Sequence, residues 1–258
     1  EIADRDWSSD VCSSDLGGPG LGTIQPSQAD YFQTVKGGGH GDYRLIALAP
    51  SSVQETADFV GLGFDLAFKY QTPAIIITDG MIGQLMEKVV LPPFRPRKTE
   101  AEIAKESPWA ATGKTGSRKP NIITSLELDP VIMEKKNLHF QEKYSRIMKN
   151  EVRYEEYKCE DAEYLLIAFG SSARICQKAI EIARGQGLRL GLIRPITLWP
   201  FPTQVIARYA DKVKGMLSVE LNAGQMVEDV RLAVNGRVKV EHLDRKSTRL
   251  NSSHGRRS

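Results

Sequence analysis

The chain has 258 residues, 41% of them hydrophobic and 26% charged, and its 35 Lys and Arg face 32 Asp and Glu for a net charge of +3. That composition is ordinary for a globular protein and excludes disordered, collagen-like and disulfide-scaffold classes. The charge is too mild and too interspersed for a nucleic-acid surface, and no apolar run approaches the ~20 residues of a membrane span.

Taken in chain order, residues 1–16 (EIADRDWSSDVCSSDL) are dense in Ser and Asp and follow neither a helical nor a strand period. At the other end, residues 244–258 (DRKSTRLNSSHGRRS) are basic and equally patternless. Asp6 to Leu16 resembles the translation of one strand of a common DNA-sequencing adaptor, and Asp244 to His254 resembles a frame of its complement. Both ends are therefore expected to be adaptor-like scars outside the fold, with residues 17–243 a natural segment that is a fragment of a longer protein. Without them two cysteines remain, Cys159 and Cys176. An iron–sulfur cluster takes about four cysteine ligands, so these are expected to be reduced, partly buried thiols of a cytoplasmic protein with no metal site.

Residues 17–22 (GGPGLG) read as a loop, residues 28–35 as a short helix, and residues 37–42 (GGGHGD) as a second backbone-permissive loop. Residues 44–49 (RLIALA) form an apolar strand stopped by Pro50. Ser51 and Ser52 ahead of Glu55 predict a helix start, and Val53, Ala57, Val60, Phe64 and Ala67 recur at helical spacing to about Tyr70. AIIIT at 74–78 is a β-branched run expected to be buried on both faces, followed by a turn and a short helix near Met86. Strand, helix, strand, helix is the grammar of a parallel sheet, placed here at 17–88.

From about Lys88 the chain turns rich in Pro, Lys and Gly, an irregular connection that marks a boundary or an arm. Residues 130–157 are predicted to be one amphipathic linker helix, so residues 89–160 form an extended linker. A second α/β unit is expected over 161–243, with strands at 164–169, 188–193, 215–221 and 237–241 and helices at 173–184, 203–210 and 225–234.

GGPGLG lacks the preceding strand and following helix that a dinucleotide loop needs, and Gly113-Lys114-Thr115 lacks the first glycine of a phosphate loop. His40 stands among Gly37, Gly38, Gly39 and Gly41, where backbone can approach a ligand closely and an imidazole can point at it; an exposed His on a tight turn fits the same spacing. With His40, His139 and His242 the only histidines of the segment, no Ser-His-Asp, Cys-His or His-rich metal arrangement can be assembled.

GGPGLGTIQPSQADYFQTVKGGGHGDY, followed by LIALAPSSVQETADF, PAIIITDGMIGQ, GLIRPITLWPFP and VELNAGQMVEDVR, closely resembles the α subunit of 2-oxoacid:ferredoxin oxidoreductases, and among these the 3-methyl-2-oxobutanoate type, over essentially all of residues 17–243. The resemblance implies an α/β fold of a partial thiamine-diphosphate pyrimidine-binding domain and a transketolase C-terminal-like domain. It also implies a heteromultimer: a β subunit carrying thiamine diphosphate, Mg²⁺ and a [4Fe–4S] cluster, a γ subunit, a ferredoxin-like δ subunit, external ferredoxin as acceptor and coenzyme A as co-substrate. Gly17, Gly18, Pro19, Gly20 and Gly22 match a loop lining the active-site mouth, with Gln25 and Gln28 next on it. His40, Gly41 and Asp42 match a substrate-side loop, His40 positioning the carboxylate. Glu220, Asn222 and Gln225 belong to a motif of the C-terminal domain to which a structural or interface role is assigned.

The family's aminopyrimidine glutamate and its Tyr-Pro-Ile-Thr-Pro segment are expected upstream of Gly17, and Leu16 stands where an Arg often precedes the glycine loop. This chain alone is therefore expected to be inactive. Alternatives are a 2-oxoglutarate or other 2-oxoacid type, a non-catalytic assembly module, and a lipoyl-type NAD-linked component.

Overall fold

The computed structural model describes residues 11–19, 22–110 and 121–244, and for residues 11–16, 23 and 244 the backbone alone. The first elements are β1 (Val11–Gly17), β2 (Thr23–Pro26), α1 (Tyr31–Val35), β3 (Ile46–Leu48), α2 (Val53–Tyr70), β4 (Ala74–Asp79) and α3 (Gly80–Gln84). The connection holds α4 (Glu100–Glu106) and α5 (Pro130–Asn150). Next come β5 (Tyr154–Tyr157), β6 (Tyr164–Ile167), α6 (Gly170–Gly185), β7 (Leu190–Pro195) and β8 (Thr197–Trp199). The last are α7 (Thr203–Tyr209), β9 (Gly215–Glu220), α8 (Met226–Val234) and β10 (Val240–Asp244).

Among the described residues the strands make two five-stranded sheets, ordered β2-β1-β4-β3-β8 and β10-β9-β6-β7-β5. β1, β4 and β3 run parallel, as do β10, β9, β6 and β7, and antiparallel strands close the remaining edges. The expected α/β architecture with two mostly parallel sheets is present. Three differences from the sequence reading have physical causes.

The first concerns the segment set aside as scar. Val11–Gly17 pairs along β4, Val11 opposite Ile75 through Asp15 opposite Asp79. Pairing is a backbone property, and β4 offers an edge of N–H and C=O groups to any extended segment, so side-chain pattern does not register it. The last strand likewise runs to Asp244. Residues 1–10 and 245–258, and the discarded Gly113-Lys114-Thr115, lie outside the described residues.

The second concerns the boundary between the units. β8 leaves the second half of the chain and pairs antiparallel with β3, and the Ala49 amide donates to the Ile196 carbonyl at 2.8 Å. One apolar core runs through both halves, joining Leu48 and Ala67 to Ile147, Ile167, Leu198 and Ile206. The two units are therefore packed as one body.

Third, the helix predicted over 130–157 stops at Asn150. Glu151 is buried there and accepts from Lys69 Nζ at 2.7 Å and from the Tyr70 hydroxyl at 2.6 Å, while Arg153 pairs with its other oxygen at 2.9 Å. Residues 154–157 then add an edge strand to β7. Helix α2 starts where Ser52 accepts from the Glu55 amide, as predicted. Its buried face, however, is Gly63, Leu66, Ala67 and Tyr70, with Val60 and Phe64 exposed. The arm crosses α2's outer side: Val90 and Gln54 exchange two hydrogen bonds of 2.8 and 2.9 Å, Arg95 pairs with Asp65, and Trp109 meets Phe68.

Candidate functional site

The two glycine loops flank α1 and its lead-in. Gly17 closes β1 and is buried, while Gly18, Pro19 and Gly22 are exposed; Gly20 lies outside the described residues. Gly22 has φ +55°, and a Cβ there would sit 1.7 Å from the Gly17 carbonyl oxygen, so the hairpin closes on itself only with glycine. At Gly18 and Gly22 the loop presents backbone outward. Gln25 is exposed on β2.

In the second loop His40, Gly41 and Asp42 are all exposed, and Asp42 borders a cavity of about 590 Å³ against Pro130, Met133 and Leu138 of α5. A residue that sequence reasoning missed organises this loop. The Tyr43 hydroxyl accepts from the amides of Gly38 and Gly39, each at 2.8 Å, and its ring fills the space a side chain at 37 or 39 would need. Two neutral hydrogen bonds contribute roughly 1–3 kcal/mol. Tyr43→Phe is accordingly expected to speed amide exchange at Gly38 and Gly39 about tenfold, leaving the core amides unchanged; equal protection would show the loop is held otherwise.

Gln28, the other glutamine expected on the cofactor-facing loop, packs inward in the described structure. It is 3% exposed in the seam between the halves. Its Nε2 donates to the Phe169 carbonyl at 2.9 Å and to Asp79 Oδ2 at 3.4 Å, and its Oε1 accepts from Ser172 Oγ at 2.9 Å and the Leu221 amide at 3.1 Å. Its own backbone pairs with Leu221 and with the Asn222 side chain, at 3.0 and 2.6 Å. A side chain so fully engaged is a latch between halves and has no group left for a ligand. Among the described residues no hydrogen bond joins the two glycine loops to one another.

Asp79, at the end of β4, is the second seam residue. Its Oδ1 accepts from the amides of Met81 and Ile82 at the start of α3, and its Oδ2 accepts from the Ser171 amide at the start of α6. One carboxylate thus caps a helix from each half, where both macrodipoles favour negative charge. Glu220, fully buried, plays the same part for α8: it accepts from the amides of Gln225, Met226 and Val227 at 2.7–3.1 Å and from Ser218 Oγ. Gln225 in turn bonds Ala29 and Phe32, and the Tyr31 hydroxyl donates to Asp229 at 2.6 Å. Burial first, then the Asp229 charge, push the Tyr31 phenol well above its ordinary value, so it remains a donor. The motif residues Glu220, Asn222 and Gln225 therefore build α8 and tie it to the lead-in of α1.

Cys159 donates to the Leu192 carbonyl at 3.1 Å, and Cys176 lies inside α6. Burial pushes their thiols up to about 11 and about 12, so neither is a thiolate at neutral pH. Among the described residues no group of three or more His, Cys, Asp or Glu is placed to hold a metal, and no helix is long and apolar enough to cross a membrane.

Residues 16–158 match the sequence family described as pyruvate flavodoxin/ferredoxin oxidoreductase, thiamine-diphosphate-binding, and residues 162–250 match pyruvate:ferredoxin oxidoreductase core domain II. Ketoisovalerate oxidoreductase subunit VorB of Methanothermobacter thermautotrophicus is 48% identical over 216 residues, covering 84% of this chain and 60% of the relative. The 2-oxoglutarate synthase subunit KorA of Methanothermobacter marburgensis is 33% identical over 256 residues, covering 88% of this chain and 66% of the relative. A solved 2-oxoglutarate:ferredoxin oxidoreductase from Magnetococcus marinus shares the fold, with a TM-score of 0.71 at 22% identity over 90% of this chain and 45% of that one. The chain spans about 60% of the length of the VorB relatives it matches.

Proposed function

The chain belongs to the pyruvate flavodoxin/ferredoxin oxidoreductase family, and on that premise we propose that it serves as a subunit of a thiamine-diphosphate-dependent 2-oxoacid:ferredoxin oxidoreductase acting on 3-methyl-2-oxobutanoate. The observation that carries the substrate class is the identity of 48% to a ketoisovalerate subunit against 33% to a 2-oxoglutarate subunit, over nearly the same share of this chain. In the proposed reaction the keto acid loses carbon dioxide, coenzyme A takes the acyl group, and two electrons leave singly for ferredoxin.

The GGPGLG loop fits the flank of the cofactor rather than its holder. Gly18, Pro19 and Gly22 are exposed and the loop carries no carboxylate, so no proton transfer on the cofactor is assigned to this loop. Thiamine diphosphate, when bound, supplies the electron sink for decarboxylation. Its Mg²⁺ and the [4Fe–4S] cluster are assigned to partner subunits, a reading supported by Cys159 and Cys176, both buried and protonated. Such thiols also suit a cytoplasmic setting.

Docking of a β subunit, with γ and ferredoxin-like δ subunits beyond it, is supported by the arm between α3 and α5. Met86, Leu91, Phe94, Leu126 and Leu128 are between 68% and 98% exposed, more apolar surface than a solitary soluble chain usually shows.

The complex assembled with its partners is expected to reduce ferredoxin with 3-methyl-2-oxobutanoate at a kcat/KM at least about tenfold above that with 2-oxoglutarate, because a second carboxylate must be desolvated or matched in the pocket. Equal or reversed preference would move the substrate to the 2-oxoglutarate class. A complex that forms but never turns over would leave this chain an assembly module. In the same complex His40→Ala, at an exposed imidazole on the substrate-side loop, is expected to raise KM for the keto acid about tenfold at constant kcat, the loss of one charge-assisted hydrogen bond. Unchanged kinetics would remove His40 from the site.

A further inference from the structure

A cavity of about 950 Å³ opens between the end of α1, the last turns of α5 and the residues after β8. Its apolar lining includes Met148, Trp199, Phe201 and Val205. Its rim carries three cations, Lys36, Arg44 and Lys149, and one carboxylate, Asp229.

These charges are unequally satisfied. Asp229 already accepts from the Tyr31 hydroxyl and pairs with Lys36. The Arg44 guanidinium reaches only its neighbour's carbonyl, on Tyr43 at 3.4 Å, and among the described residues neither Arg44 nor Lys149 forms an ion pair. The lining therefore holds two cationic side chains more than it holds anions. Arg44 enters from the loop after α1 and Lys149 from α5, so a ligand between them would be gripped from two elements.

Size and charge narrow the ligand. Pockets for drug-sized ligands span roughly 300–1,000 Å³, which puts this cavity at the upper end and well above the needs of a keto acid of a few carbon atoms. Two uncompensated cations match a phosphate, with about −1.5 to −2 charges at pH 7, better than a single carboxylate. A guanidinium suits that partner through paired donors. The partly exposed Phe201 ring on the lining suits a flat ring.

We propose that this cavity is a binding site for a nucleotide-sized organic phosphate, its phosphate held by Arg44 and Lys149 and its ring resting on Phe201. The site goes beyond the keto-acid reading, and binding to the chain without partners tests it separately.

Calorimetric titration of the full chain at low salt with ADP, inorganic phosphate and adenosine is the test. ADP is expected to bind saturably, one per chain, at least tenfold more tightly than either fragment. The Arg44→Gln/Lys149→Gln double variant, both at exposed side chains, is expected to lose tenfold or more in ADP affinity with an unchanged melting temperature. Phe201→Ala is expected to weaken ADP and leave inorganic phosphate unaffected. Absence of saturable ADP binding, equal affinity for ADP and inorganic phosphate, or wild-type affinity in the double variant would each overturn the proposal.

Discussion

Arg194→Ala is expected to lower the unfolding free energy by about 2–4 kcal/mol, the loss of a buried guanidinium's charged hydrogen bonds, discounted because the Glu55 and Glu155 side chains left behind are 27% and 42% exposed and can be rehydrated. Arg194 lies on β7 with its side chain 4% exposed. Its Nη1 and Nη2 donate to the two oxygens of Glu55 at 2.9 and 2.7 Å, and its Nε donates to Glu155 at 2.8 Å. Glu55 also accepts from the Ser51 amide at the entrance to α2, so the pair joins the first helix of one half to the sheet of the other. For a chain of this length the change in stability corresponds to a fall in melting temperature on the order of 10 °C.

The pH dependence has a definite sign. Burial raises the Glu55 carboxyl, but hydrogen bonds from Arg194 and Ser51 outweigh it and hold the group below its ordinary 4.5. A depressed folded value means that the pair's contribution is complete above about pH 4.5 and is lost as pH falls through the lower folded value. The stability gap between Arg194→Ala and the parent should therefore be constant near neutrality and narrow below pH 4.5, which urea titrations at several pH values would resolve. A gap that widens in acid would show that Glu55 is not what Arg194 holds. Replacing Glu55, Glu155 and Arg194 together by apolar residues is expected to recover most of the loss, since no charge is then buried alone.

What the sequence showed of all this depended on the range of the interaction. Most of the parallel strands and the longer helices between them could be read because β-branched runs such as AIIIT and caps such as Ser52 act over a few residues, whereas β2, α4 and the edge strand β5 were not. β8 could not, since Thr-Leu-Trp becomes a strand only by meeting β3, some 150 positions away in the chain. Nor could β1, whose pairing carries no side-chain signature. Cavities and latches were hidden for the same reason. Gln28 reads as one more polar loop residue until Phe169, Ser172 and Leu221 arrive around it. Tyr43 was within reach: an aromatic a few residues after a run of glycines can lay its ring where glycines leave room, here at Gly37 and Gly39, a local signal the spacing of His40 overshadowed. The exposed loops themselves, with Gly18, Gly22, His40 and Asp42, were placed correctly as loops because glycine density alone dictates that.

Gly170→Ala is the second large effect, and a neighbouring control separates its two causes. Gly170 opens α6 with φ +57°, and a Cβ there would stand 2.8 Å from Asp79 Oδ2 and 2.8 Å from Gln28 Nε2. Left-handed backbone at a non-glycine residue costs about 1–2 kcal/mol, and overpacking a filled site about 1–3 kcal/mol. Neither contacting atom is free to withdraw. Asp79 is held by the amides of Met81, Ile82 and Ser171, and Gln28 by Phe169, Ser172 and Leu221. The expected destabilisation is therefore about 2–5 kcal/mol. Gly187 provides the comparison, with φ +88° and nothing within 4 Å of its added Cβ, so Gly187→Ala should show the backbone strain alone. If the two variants unfold at the same denaturant concentration, the latch yields to an extra methyl and the halves are held together chiefly by their shared apolar core. A clear excess for Gly170→Ala, reduced when Asp79→Ala removes the crowded carboxylate in the double variant, would locate the coupling of the two halves in this one carboxylate and the helix starts that converge on it.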